Sequence, residues 1–156
     1  MASSLVSRID NTLIPLLRRW SIPILRLSLA LVFIWFGALK IAGLTPVFEL
    51  VASTVYWVDP SWFVPALGVV EVAVGLLLLF RIGLRLVLAV LFAQLVGTFL
   101  VFVFRPDIAF QDGNPLALTT EGEFILKNLV LLAAAMTVGA MIEEKKEQMP
   151  PPENDD

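Results

Sequence analysis

Long apolar runs set the pattern of this chain, and the polar residues sit mostly between them. Four runs are long enough to cross a bilayer: Ile24 to Ala42, Phe63 to Phe80, Leu86 to Phe104 and Phe124 to Ile142. At a helical rise of about 1.5 Å per residue each extends about 27 to 29 Å, close to a hydrocarbon core of about 30 Å. They lack the alternation of a membrane strand, and an open sheet would leave unpaired edges in lipid. The pattern predicts an all-α, integral membrane four-helix bundle at residues 24–142. Pro23 suits the first turn of the first span, since a proline there lacks only an N–H that has no intrahelical partner.

Two shorter stretches flank the bundle. In residues 1–23, Leu5, Val6, Ile9, Leu13, Leu16, Leu17 and Trp20 recur near helical spacing while Arg8, Asn11, Arg18 and Arg19 fall off that stripe. This reads as an interfacial amphipathic helix bent at Pro15, or as a frayed tail if Pro15 breaks it. Residues 143–156, EEKKEQMPPPENDD, are charged and proline-rich and read as a disordered, solvated tail.

Composition agrees with the pattern: 58% of the 156 residues are hydrophobic and mean hydropathy is +0.88, beyond the range of an ordinary soluble domain. The lipid bilayer is the first partner. A net charge of −3 gives no support to nucleic-acid binding, and its location matters more than its sum. Arg8, Arg18, Arg19, Arg26, Arg81, Arg85, Lys145 and Lys146 fall on one side of the four spans, and Arg105 alone accompanies the acids of the other side. By the positive-inside bias both termini are cytoplasmic. The first span, full length and without a small-residue cleavage site, reads as an anchor rather than a signal peptide.

The chain has no Cys and no His. Thiolate chemistry, disulfides and the commonest haem and zinc ligands are therefore excluded, and no metal site and no catalytic residue is assigned. Any redox group must be bound or supplied by a partner.

The informative residues are polar ones inside the spans, because such groups face the interior of a bundle. Glu71 lies ten residues before Arg81, near the midplane, where a carboxyl is either protonated or paired with a cation. Gln94, nine residues after Arg85, lies at nearly the same depth and within hydrogen-bonding reach on the antiparallel neighbour. Gly68, Glu71 and Gly75 share one face, as do Gln94, Gly97 and Thr98, which suits close helix approach. Lys40 is offset from Glu71 by about 6 Å along the axis, so it either snorkels outward or pairs with Glu71. Lys127 has Glu123 four residues before it, a favourable helix ion pair. Asn128 and Trp35 carry less, Trp35 being most simply a packing or interfacial residue, as Tyr56, Trp57 and Trp62 are in the outer loop.

The segments LRLSLALVFIWFGALKI, LGVVEVAVGLLLL, RIGLRLVLAVLF and EGEFILKNLVLLAAAM, in that order, resemble the four helices of DoxX-like membrane proteins, most closely the YkgB/RclC-type branch linked to reactive-chlorine resistance. Trp35-Phe36-Gly37 with Lys40, Glu71 with Gly75, and Gly122 to Lys127 carry the resemblance. It maps the matched polar positions onto Arg26, Lys40, Glu71 and Lys127. The chain departs from the branch at Asn128, where an acid is common, and in its short outer loop at 43–62. The resemblance implies a bacterial inner-membrane protein associated with redox or oxidative-stress systems. It leads to an accessory subunit whose cleft at Lys40, Glu71, Gln94 and Lys127, supported by Arg26, Trp35, Thr98, Glu123 and Asn128, binds a lipid-soluble ligand, a membrane-protein partner or a second copy. Two alternatives stand beside it: a subunit that binds quinone in an oxidoreductase, and a small transporter or channel. No intrinsic cofactor is expected, and quinone is the ligand the resemblance suggests.

Overall fold

The computed structural model describes the backbone of residues 2–147 and the side chains of residues 13–141. Residues 148–156, the greater part of the tail, and the side chains of Leu5, Val6 and Ile9 in the amino-terminal stripe lie outside the described residues.

The chain folds as α1 (Ala2–Ile41), α2 (Phe48–Thr54), α3 (Pro60–Phe80), α4 (Leu84–Thr98), α5 (Val101–Phe104), α6 (Pro106–Ala109) and α7 (Thr120–Glu147). Four helices are long and apolar enough to cross a membrane: Leu13–Ile41, Pro60–Phe80, Leu84–Phe104 and Thr120–Met141. Each overlaps one of the four apolar runs, and among the described residues there is no strand, only an isolated bridge between Phe110 and Leu118.

The first span starts earlier than its apolar run. α1 is continuous through Pro15 and Pro23, so Pro23 lies inside a helix and does not open one. Each proline removes one i to i−4 bond, leaving the carbonyls of Asn11 and Arg19 without that donor. The apolar segment Leu13–Ile41 has 29 residues, about 43 Å of helix against a hydrocarbon core of about 30 Å, so its amino-terminal turns project beyond the core or the helix tilts.

α3 begins one turn before its apolar run because its signals lie there: Asp59 accepts a hydrogen bond from Ser61 N–H at 2.9 Å, and Pro60 occupies the first turn. It ends at Arg81 and turns into α4 through two left-handed residues, Arg81 (φ 63°) and Gly83 (φ 58°), the geometry that makes glycine favourable at such a stop. Arg26 reaches across from α1 and donates to the carbonyls of Leu78 and Leu79 at 2.7 and 3.1 Å. A guanidinium on the terminal carbonyls of a helix adds to their hydrogen bonding and opposes the negative end of the dipole.

The third span is not one regular helix. After Gly97 and Thr98 the backbone tightens through i to i−3 bonds from Phe99 to Val96 and from Leu100 to Gly97 before α5 resumes. Beyond it α6 and the segment 110–119 fold back over the end of the bundle opposite the α3–α4 turn, its outer end in the orientation expected from charge. Thr119 closes this segment, with its hydroxyl donating to Ile108 carbonyl at 2.5 Å and its oxygen accepting from Gly122 N–H at 3.0 Å at the start of α7.

Two apolar cores result. The inner one joins all four spans through Leu29, Phe33, Val74, Leu78, Leu91, Leu95 and Val138. The outer one joins Leu50, Val101, Ala109 and Ile125 beneath the outer loops. The intramembrane polar residues occupy the layer between them.

Candidate functional site

Two glycines determine where that layer forms. Gly37 precedes Lys40 by three residues on α1, and Gly68 precedes Glu71 by three on α3, so on each helix the glycine and the charge share a face. A Cβ on Gly37 would stand 2.6 Å from Gly68 carbonyl oxygen and 2.9 Å from Glu71 Cβ; one on Gly68 would stand 2.7 Å from Gly37 carbonyl oxygen and 2.8 Å from Lys40 Cβ. Only glycine lets these backbones approach so closely, and the approach delivers Lys40 to Glu71. Gly75 extends the seam, with Ala30 carbonyl oxygen 2.8 Å from where its Cβ would be.

Lys40 Nζ donates to both carboxylate oxygens of Glu71, at 2.9 Å to Oε1 and 2.7 Å to Oε2. Both residues are 7% exposed. Of the two fates open to Lys40, pairing is the one observed. Gln94 Nε2 adds a third bond, to Glu71 Oε1 at 2.5 Å, so the carboxylate is held by a cation from α1 and an amide from α4. Asn128 Nδ2 on α7 donates to Thr98 Oγ1 at 3.0 Å, and that hydroxyl donates to Leu95 carbonyl at 2.6 Å. All four spans thus contribute a polar side chain to one layer.

Two cavities adjoin the layer. The first, about 280 Å³, lies between α3, α4 and the outer helix α2, with Leu50, Thr54, Phe63, Leu67, Gly97 and Val101 on its walls. The second, about 460 Å³, lies between α1 and α7, with Phe33, Phe36, Leu131, Lys127 and Asn128 on its walls. Lys40, Glu71, Gln94 and Thr98 line both. Each cavity is therefore an apolar space with its polar groups gathered at one place, the usual make-up of a site for a lipophilic molecule.

The remaining candidates lie apart from that centre. Lys127 is exposed, touches the edge of the second cavity and pairs with exposed Glu123 at 3.8 Å. Arg26 is at the inner end on the α3 carbonyls, away from the cleft. Trp35 is 64% exposed and lines neither cavity, in keeping with a lipid-facing residue. Gly97 is not a packing glycine: a Cβ there would meet nothing within 4 Å, and its missing side chain leaves the first cavity open.

Sequence reasoning missed the roof. Val47, Leu50, Val51, Thr54 and Val55, on and beside α2, line the first cavity, yet the loop 43–62 offers too short an apolar pattern to identify a seven-residue helix. It also passed over Gly37 as a contact residue, although its spacing to Lys40 repeats that of Gly68 to Glu71.

The family model described as DoxX matches residues 21–104. The chain belongs to the DoxX family. That match takes in the second half of α1, all of α2 and α3, and α4 with α5, and so includes Lys40, Glu71 and Gln94 among the DoxX-matched positions. Lys127 and Asn128 lie beyond it. Comparison with curated proteins and with solved structures gives no match.

Proposed function

We propose that this DoxX-family chain is a non-catalytic, accessory subunit of a redox or oxidative-stress-related system in the bacterial inner membrane, and that its intramembrane cleft receives a lipid-soluble ligand. The observation that carries this reading is a neutralised, three-way polar layer opening on two apolar cavities. A buried ion pair alone is weak support for a stability role, because apolar residues of similar volume often serve as well. A pair that lines a cavity has a further use, to orient the polar end of a molecule whose body is apolar. The redox association rests on the resemblance of the four segments to DoxX-like proteins.

The arrangement favours binding over electron transfer by the chain itself, since Lys, Glu and Gln exchange no electrons at biological potentials and the cleft's own contribution is to bind and orient. The cytoplasmic placement of both termini follows from the arginines at the inner end of α1 and around the α3–α4 turn.

Purification in mild detergent, followed by mass spectrometry of extracted lipids and of co-purifying polypeptides, tests the reading. The expected result is a lipophile, with or without a membrane-protein partner, in constant ratio to the chain. Quinone in that ratio, together with quinone reduction by the purified assembly, would favour the oxidoreductase-subunit reading. A chain that carries neither lipophile nor partner contradicts the proposal.

A further inference from the structure

If the cleft receives a lipophile, the hydrogen-bonding capacity left over in its polar layer sets the chemistry of that molecule's polar end. Lys40 and Glu71 sum to zero charge, and a charged occupant would bring an uncompensated charge to membrane depth. The layer therefore suits a neutral molecule.

The Glu71 carboxylate offers only acceptors, so Gln94 must turn its NH₂ toward it, and this fixes which end of the amide is oxygen. Gln94 Oε1 is then directed away from Glu71. It is the buried side-chain oxygen that lacks any hydrogen-bond partner among the described residues. The nearby hydroxyl offers no relief: Thr98 Oγ1 spends its proton on Leu95 carbonyl and accepts from Asn128. A buried acceptor without a donor is costly, and the cost ends when a donor arrives. Gln94 lines both cavities, and the terminal torsion of a glutamine is soft, so a modest rotation presents the oxygen to an occupant.

We infer that the cleft selects a neutral apolar molecule whose polar end is a hydroxyl that donates to Gln94 Oε1. An ether of the same shape can accept from the third N–H of Lys40, as the hydroxyl can, but lacks the proton and leaves Gln94 Oε1 unpaired. The hydroxyl has two sources, an aromatic ring or an aliphatic lipid chain.

The test is equilibrium binding of matched pairs to the full chain in detergent, corrected for partition into protein-free micelles. One pair is para-octylphenol and para-octylanisole; the other is decanol and methyl nonyl ether. The expected result is a preference of about tenfold for the hydroxyl compound. A preference within the first pair alone assigns an aromatic hydroxyl, and one within the second pair an aliphatic hydroxyl; either supports the inference. Saturable binding with equal affinity within both pairs overturns it while leaving the ligand reading intact. Saturable binding of none of the four overturns the ligand reading itself. In Gln94→Met the preference should fall to about twofold or less, and a preference that survives there refutes the role of Gln94. Should that variant fail to fold, the wild-type ratios alone decide.

Discussion

Lys40 and Glu71 are each costly in a membrane interior and tolerable together. Removing one partner strands the other, and for a buried pair this costs about 3–5 kcal/mol. Glu71→Gln and Lys40→Met should each lower stability by about that amount, and the double variant should lose much less than their sum, since contacting residues are coupled. Thermal unfolding of the three variants in detergent gives the coupling directly. Additive losses would mean that the two side chains do not interact in the membrane protein. The pair also marks how far residue-level reading of the sequence reached. Depth along the helices brought Glu71 and Gln94 to one level and Lys40 to within about 6 Å of it, because rise per residue is fixed. Depth left the choice between snorkelling and pairing open, because it says nothing of helix rotation, and rotation here is set by the Gly37–Gly68 contact.

At the scale of the element, α1 and α3 touch through glycine, while α3 and α4 stand apart enough to leave a cavity. Gly37→Ala should therefore damage the bundle, as its new carbon meets backbone that has little room to yield; overpacking of this kind costs about 1–3 kcal/mol. Gly97→Ala, facing open space, should leave the melting temperature nearly unchanged. The helix start at Asp59 makes a separate prediction. The Ser61 N–H, by hydrogen bonding, holds this exposed carboxyl below the usual carboxylate range. Its folded-state pKa is depressed, so its contribution is complete above the unfolded value of about 3.9 and is lost as pH falls through the folded value. Asp59→Asn keeps a capping side chain but cannot titrate. The stability difference between the wild type and Asp59→Asn should hold constant at neutral pH and shift only in acid, toward a relatively weaker wild type. Such a start was readable in sequence from Asp59-Pro60, but the apolar window began later because hydropathy does not see caps. The short helices α2 and α6 escaped because their few apolar residues form no run, while α5 reads as part of the run Leu86–Phe104, since hydropathy does not see the break after Thr98.

For the whole molecule, four crossings put the two ends of the chain on one side of the membrane, and charge decides which side. Arg18, Arg19, Arg26, Arg81 and Arg85 gather at the end where α1 begins and α3 turns into α4; Glu49, Asp59, Asp107 and Glu123 lie toward the other. Reporter fusions at Asp112 and after the last residue should therefore report opposite sides, with Asp112 periplasmic. A cytoplasmic signal at Asp112 would be incompatible with that orientation. The central claim is that the space between the helices is a binding site rather than a packing defect, and native mass spectrometry of the wild type beside Gly97→Val tests it most directly. Valine at this position projects into the first cavity and narrows it, without replacing Lys40, Glu71 or Gln94. The account predicts a wild type that retains one neutral lipophile per chain and a Gly97→Val variant of unchanged melting temperature that has lost it. An adduct retained equally by both would put the lipophile in the second cavity, which Gly97 does not line, and a wild type that carries none would contradict the account.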